Sequence, residues 1–301
     1  MTPSEPGLPG AGAAPAGPSV VALGGGHGLA ATLRAVRRYA GEITAVVSVA
    51  DDGGSSGRIR DAFHILPPGD IRKCLIALAG PELLWARILD HRFRAGDLKG
   101  HSLGNLILAA LAEVTGDPQV AIDEAARLLG AVGRVVPATT VPVVLKAATG
   151  QGEIEGQVAV MRSPRITRVS LVPFDPEPSP AALDALARAD QVVIGPGSLY
   201  TSVLAVVAVP ALARAVAESR GRSVYVCNLA PQRPETAGYD VAGHVEALAA
   251  HGVEPDVVLC DTAALALGRP CRPWIDTPLA RAGGRAHDPA RLAAALRGLI
   301  G

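Results

Sequence analysis

The sequence predicts an α/β protein: a three-layer, Rossmann-like parallel sheet with a smaller inserted lobe. Three observations carry this. Short apolar runs rich in Val and Ile alternate with Ala- and Leu-rich amphipathic stretches, the alternation of a parallel sheet. Two of the runs end in glycine-rich turns that open into helices, at 24–28 and 195–198. Between them, at about 130–175, prolines and β-branched residues interrupt the pattern, as in an inserted antiparallel lobe.

The elements follow in order. Residues 19–23 form a first strand, 24–29 a glycine turn, and 30–39 a helix with Leu29, Leu33 and Val36 on one face. With the apolar strand 43–50 they complete a βαβ unit. That strand runs into Asp51-Asp52-Gly53-Gly54-Ser55-Ser56-Gly57-Arg58, read as an acidic loop. Helices are expected at 71–78, 106–115 and 117–129, with an amphipathic helix and charged loop over 82–98. Asp70 suits the N-cap of the first, and Ser102 or Asn105 that of the second. Residues 132–148, 153–163 and 165–173 read as strands or extended edges. Helix 181–189, strand 191–194, helix 203–219, strand 223–229, helix 244–250, strand 256–260 and helix 289–299 return to the parallel pattern.

Composition narrows the classes. The 301 residues are 49% hydrophobic and 3% aromatic, so the core must be built from Ala, Val, Leu and Ile. Lys plus Arg and Asp plus Glu number 28 each, which gives no overall field toward nucleic acid or an anionic membrane. The four cysteines lack zinc-type spacing and fit a reducing compartment. Residues 1–18 read as a disordered leader rather than a signal peptide, and 19–301 as one domain. The apolar stretches at 135–148 and 192–216 are broken by Gly or Pro, so no membrane span is expected. A cytoplasmic protein follows.

Ligands of open α/β sheets bind beyond the carboxyl ends of the strands. Gly26-His27-Gly28-Leu29-Ala30-Ala31 fits the dinucleotide fingerprint G-x-G-x-x-A, whose glycines let a pyrophosphate approach a helix N-terminus. Other phosphorylated ligands use the same physics, and no His/Lys or Tyr/Lys pair commends itself for hydride transfer. The turn Gly195-Pro196-Gly197-Ser198-Leu199-Tyr200-Thr201-Ser202 has the form of a second anion site.

Five ordered blocks then carry a resemblance. They are Gly24–Gly28, Ala50–Arg58, Leu66–Arg72, Gly100–Asn105 and Gly195–Ser202. Together they resemble the gluconeogenesis factor family of bacteria, the YvcK-like proteins, related to the 2-phospho-L-lactate transferase (CofD) of coenzyme F420 synthesis. The resemblance implies a Rossmann-like fold, a cytoplasmic location, binding of nucleotide sugars such as UDP-N-acetylglucosamine, and a regulatory role in cell shape on gluconeogenic carbon sources. The rival it implies is a magnesium-dependent enzyme moving a phospholactyl group from a nucleoside diphosphate ester. Carried over residue by residue, the ligand-binding set is Gly25, Gly26, His27, Gly28, Asp51, Asp52, Ser55, Arg58, Asn105, Gly195, Gly197, Ser198, Leu199, Tyr200 and Asn228. Asp51 and Asp52 are the candidate magnesium ligands, and no catalytic residue is assigned. A homodimer is the assembly considered. Three positions depart from the family pattern: His27 stands for threonine, Ser102 for asparagine, and Arg233-Pro234 for Pro-Gly.

Overall fold

A computed structural model describes residues 17–80, 82–284 and 286–300. The leader expected over 1–18 lies outside them except for Gly17 and Pro18, and the Pro18 carbonyl already accepts from Gly41 N–H at 3.0 Å.

Seven parallel strands form the main sheet. They are β1 (Ser19–Gly24), β2 (Glu42–Val47), β3 (Arg134–Pro137), β7 (Gln191–Ile194), β8 (Arg222–Val226), β9 (Val257–Cys260) and β10 (Trp274–Asp276). Their order is β10-β9-β8-β7-β1-β2-β3, with all pairs parallel. From β1 the chain runs outward to β2 and β3; from β7 it runs the other way. The order therefore reverses between β1 and β7, where a crevice opens in such sheets. Beyond the first residues of β1, β2 and β8, the inner strands are buried because helices cover both faces.

The remaining strands, β4 (Val144–Thr149), β5 (Gly152–Glu155) and β6 (Ile166–Val172), form an antiparallel sheet in the order β5-β4-β6. The inserted sheet thus covers 144–172, and β3, expected within the lobe, belongs to the main sheet beside β2. Residues 157–161, expected as strand, form a short helix after Gly156, whose φ of +96° ends the ladder.

The helices are α1 (Gly26–Val36), α2 (Gly54–Phe63), α3 (Pro68–Ala79), α4 (Leu84–Asp90), α5 (Leu103–Thr115), α6 (Pro118–Leu129), α7 (Gln157–Met161), α8 (Pro180–Arg188), α9 (Leu204–Val207), α10 (Pro210–Glu218), α11 (Val241–Ala250) and α12 (Pro289–Arg297). Two sequence expectations change here. The acidic loop is already helical from Gly54, because Ser55, Ser56 and Gly57 are buried against neighbouring elements. The helix expected over 203–219 starts as a wide turn at Leu199–Val203 and bends by 79° before Pro210, which cannot continue the helical hydrogen bonding. No single helix among the described residues is long and apolar enough to cross a membrane.

Candidate functional site at the carboxyl ends of the strands

The two glycine turns interlock at the switch point. A Cβ placed on Gly28 would collide with the Pro196 carbonyl oxygen and lie 2.6 Å from Gly197 Cα, so only glycine lets these backbones touch. Thr32 Oγ1 reinforces the contact by donating to Gly195 O at 2.7 Å. Gly26 holds φ +63°, the left-handed turn that starts α1.

No side chain caps α1, and the first backbone N–H taken up there is that of Leu29, on Gly25 O. By contrast, Asp117, Asp240 and Asp288 cap α6, α11 and α12. An uncapped N-terminus at a crevice offers N–H groups and a partial positive charge to an anion. It opens on a cleft of about 470 Å³, walled by His27, Gly28, Pro196, Gly197, Leu229, Ala230, Pro231, Gln232, Gly284, Ala286 and His287. That is within the roughly 300–1,000 Å³ of sites for small molecules.

Asp51 and Asp52 diverge. Asp51 Oδ1 accepts from Gly53 N–H at 2.9 Å, and its other oxygen faces Gly69 at the start of α3. Burial above all, with the Asp70 charge behind it, raises the Asp51 carboxyl; the Gly53 N–H, Ser56 and Lys73 pull it back. Asp52 Oδ1 instead accepts from Val158 N–H at 2.9 Å and ties the inserted lobe down. The two acids are therefore held by different partners. Asp70, a buried carboxylate held by Lys73 Nζ at 3.0 Å, lies near enough for its charge to act on Asp51. Asp70 also reaches the first turn: its Oδ2 would lie 2.5 Å from a Cβ on Gly25. It caps no helix, since α3 begins behind Pro67.

A second cluster joins α2 to α5. Asn105 Nδ2 donates to Ser55 Oγ at 3.1 Å, His101 Nδ1 stands 3.3 Å from the same oxygen, and Arg58 Nε donates to His101 Nε2 at 3.3 Å. Asn105 Oδ1 is buried without a partner, an orphan acceptor beside the uncapped start of α5. Ser102, expected as a cap, donates to Leu89 O at 3.1 Å. Arg72 also turns away, to Asp90 Oδ1 at 2.5 Å.

The second glycine turn is satisfied from within. Asn228 grips Gly197 twice, accepting from its N–H at 3.0 Å and donating to its carbonyl at 2.8 Å. Glu235 Oε1 accepts from Tyr200 N–H at 2.7 Å and Thr201 N–H at 3.2 Å; its Oε2 accepts from Ser198 Oγ at 2.5 Å. Leu199 is fully buried, and the Tyr200 hydroxyl points to Ile166 O and Tyr239. Gly197 and Asn228 thus line the cleft, whereas Gly195, Ser198, Leu199 and Tyr200 are not among its lining residues, and the Gly197, Ser198 and Tyr200 donors are bonded within the fold.

Sequence reasoning missed Lys73, Glu235 and His287 as site residues and left Asp70 open. His287 lines the cleft from a buried position, with Nε2 3.1 Å from Cys227 O. One signal was present: in the helix expected from Ile71, Arg72-Lys73 fall in the first turn, where the dipole disfavours cations unless an anion is near; the helix in fact begins at Pro68, which moves them one turn in.

Comparison with known proteins agrees with this architecture. The family profile described as 2-phospho-L-lactate transferase CofD matches residues 20–269. A gluconeogenesis factor of Bacillus subtilis is 45% identical over 237 residues, covering 78% of this chain and 75% of its own. A Mycobacterium tuberculosis relative, given the same name provisionally, is 44% identical over 306 residues, covering 93% of this chain and 90% of its own. A Nostoc relative with that provisional name is 46% identical, but the chain spans only 52% of its length. The crystal structure of a UPF0052 family member from Bacillus halodurans superposes with a TM-score of 0.88 at 35% identity, over 93% of this chain and 99% of that one. With sequence, fold and switch-point turns in agreement, the chain belongs to the gluconeogenesis factor (UPF0052, YvcK-like) family, a relation of CofD.

Proposed function

We propose that this protein binds a nucleotide sugar of the UDP-N-acetylglucosamine kind. Its output is then the bound state itself, in a regulatory role that supports cell shape on gluconeogenic carbon sources. One observation carries the reading: the uncapped N-terminus of α1 at the switch point, opening on a cleft of about 470 Å³. The diphosphate would lie on the N–H groups of Gly26, His27 and Gly28. The nucleoside and sugar would extend along the cleft walls. A cytoplasmic location goes with this reading, and light scattering of the pure protein would decide between monomer and homodimer.

Calorimetry with UDP-N-acetylglucosamine, uridine and guanosine diphosphates and NAD, each with and without magnesium, tests it. Tight binding of the nucleotide sugar and weak binding of NAD is the expected outcome. No heat from any nucleotide sugar would refute it. Mass spectrometry of protein, ligand and magnesium should find the ligand intact after hours.

A magnesium-dependent transferase is the second reading, favoured by the Asp51–Asp70 pair. Magnesium keeps water and ligand phosphates in its shell and is held by one or two carboxylates. Burial and the Asp70 charge raise the Asp51 carboxyl, and a cation bound beside it would favour its ionised form. Asp51 and Asp70 would hold the ion, which would neutralise charge on a phosphate ester. Ligand-dependent release of free nucleotide, lost in Asp51→Asn, would establish the enzyme.

A further inference from the structure

The second glycine turn contains its own anion. Glu235, 3% exposed, reaches in from the loop after β8 and sets its carboxylate at the N-terminus of the helical segment Leu199–Val207. Two backbone N–H groups and one hydroxyl bind it. Those are the donors a phosphate would use at such a turn. Thr201 Oγ1 also meets the Ser198 hydroxyl, so the polar groups around the carboxylate are bonded to one another. The carboxylate is bonded to Ser198, the residue after Pro196 and Gly197, which line the same cleft as His27 and Gly28. Because Gly28 touches that same backbone, a ligand on α1 rests against the second turn.

We propose that Glu235 determines specificity in the cleft by filling the second turn with a fixed negative charge. The ligand's anionic group then goes to the first turn, where the nearby Asp70 carboxylate already has Lys73 as its counter-ion, and a neutral, hydroxyl-bearing group lies against the second. This assignment of the two ends rests on the nucleotide-sugar reading; occupation of the turn by a surrogate anion does not. Burial raises the Glu235 carboxyl, while Ser198, Tyr200 and Thr201 pull it down, each favouring the ionised form. A second anion brought to this wall would meet a like charge across a poorly screened path.

UDP-glucose and UDP-glucuronate differ by one carboxylate on the sugar, and calorimetry with both tests the charge directly. The wild-type protein should prefer UDP-glucose by about tenfold or more. Glu235→Gln keeps an acceptor for Tyr200 and Thr201 but loses the charge, and should bring the two affinities within about threefold. An unchanged ratio in that variant, or no preference in the wild type, overturns the assignment. Inorganic phosphate tests the surrogate anion without any nucleotide. Glu235→Ala should gain melting temperature with rising phosphate well beyond the wild type, because the vacated donors accept the ion. An equal response in both proteins overturns that half. Should the alanine variant fail to fold, Glu235→Ser takes its place in the phosphate series. If the wild type binds neither sugar nucleotide, the proposed function fails, and the phosphate series alone judges the surrogate anion.

Discussion

The two glycine turns look alike in sequence and differ in what satisfies them. Both follow a buried parallel strand, both carry glycines at positive φ, and both open into helical backbone. At Gly24–Gly28 no side chain caps the helix. At Gly195–Thr201, Asn228 and Glu235 consume the donors of Gly197, Tyr200 and Thr201. Such a turn advertises an anion, and only the rest of the fold decides whether that anion is a ligand or a glutamate. An open turn is a place to bind; a closed one is a wall that shapes the place.

The largest expected effect comes from opening the closed turn. Glu235→Ala leaves the N–H groups of Tyr200 and Thr201 buried without an acceptor, at about 1–3 kcal/mol each. Urea denaturation should show a loss of about 4 kcal/mol on that account. A loss below about 1 kcal/mol would mean that water or a shifted side chain replaces the carboxylate. Gly28→Ala attacks the seam between the turns and should cost about 3 kcal/mol through overpacking, because its neighbours are backbone and cannot rotate away.

Gly26→Ala sharpens the comparison at lower cost. No atom lies nearer than 4.0 Å to a Cβ there, so the penalty is the strain of φ +63°, about 1–2 kcal/mol. Its effect on ligand should exceed its effect on stability, since relaxing the turn misaligns the N–H groups of α1. Calorimetry beside a melt decides: unchanged affinity in a folded variant would remove the first turn from the site. The paired acids give a further contrast. Asp52→Ala should cost about 1.5 kcal/mol and loosen the inserted lobe, seen as faster amide exchange in β4–β6. Asp51→Asn should leave that exchange unchanged and act only on magnesium-dependent ligand binding.

Much of the fold was legible because a strand buried on both faces must be an unbroken apolar run. Residues 20–23, 192–194 and 257–260 are such runs, and all three became inner strands. The three residues of β10 are exposed and follow a proline-rich loop, so they carry no periodicity to read. Of the site, the glycine turns and the acid pair were visible as motifs. Their pairing was not. Asp51 is brought near Asp70 only by the packing of α3 against β2 and α2, and Glu235 meets Ser198 across 37 residues of chain. A motif states which groups are present at a strand end, whereas the fold states which of them are still free.

The smallest effect concerns the hinge between lobe and sandwich. His251 Nδ1 bonds Ala247 O at 2.7 Å, while Nε2 accepts from Val169 N–H of β6 at 2.9 Å. An acceptor at Nε2 requires the neutral ring with its proton on Nδ1. Burial first, and then the Arg168 charge, hold the imidazole below its ordinary range against the pull of Ala247 O. The Tyr200 ring packs on its edge at 6.1 Å. With the folded value lowered, the contribution to stability is complete above the unfolded value of about 6.5. It is lost as the pH falls through the folded value. Protonation removes the acceptor and turns a second N–H toward Val169. His244 and His287 are also lowered by burial and add to the acid side, so the total slope does not isolate His251. The informative quantity is the difference in melting temperature between pH 7.5 and 5.5, compared in wild type and His251→Gln. The variant should lose less on acidification, the shortfall matching one hydrogen bond of about 1 kcal/mol. Equal losses would mean that the lobe is held to the sandwich by Asp52 and the tyrosines, with His251 a bystander.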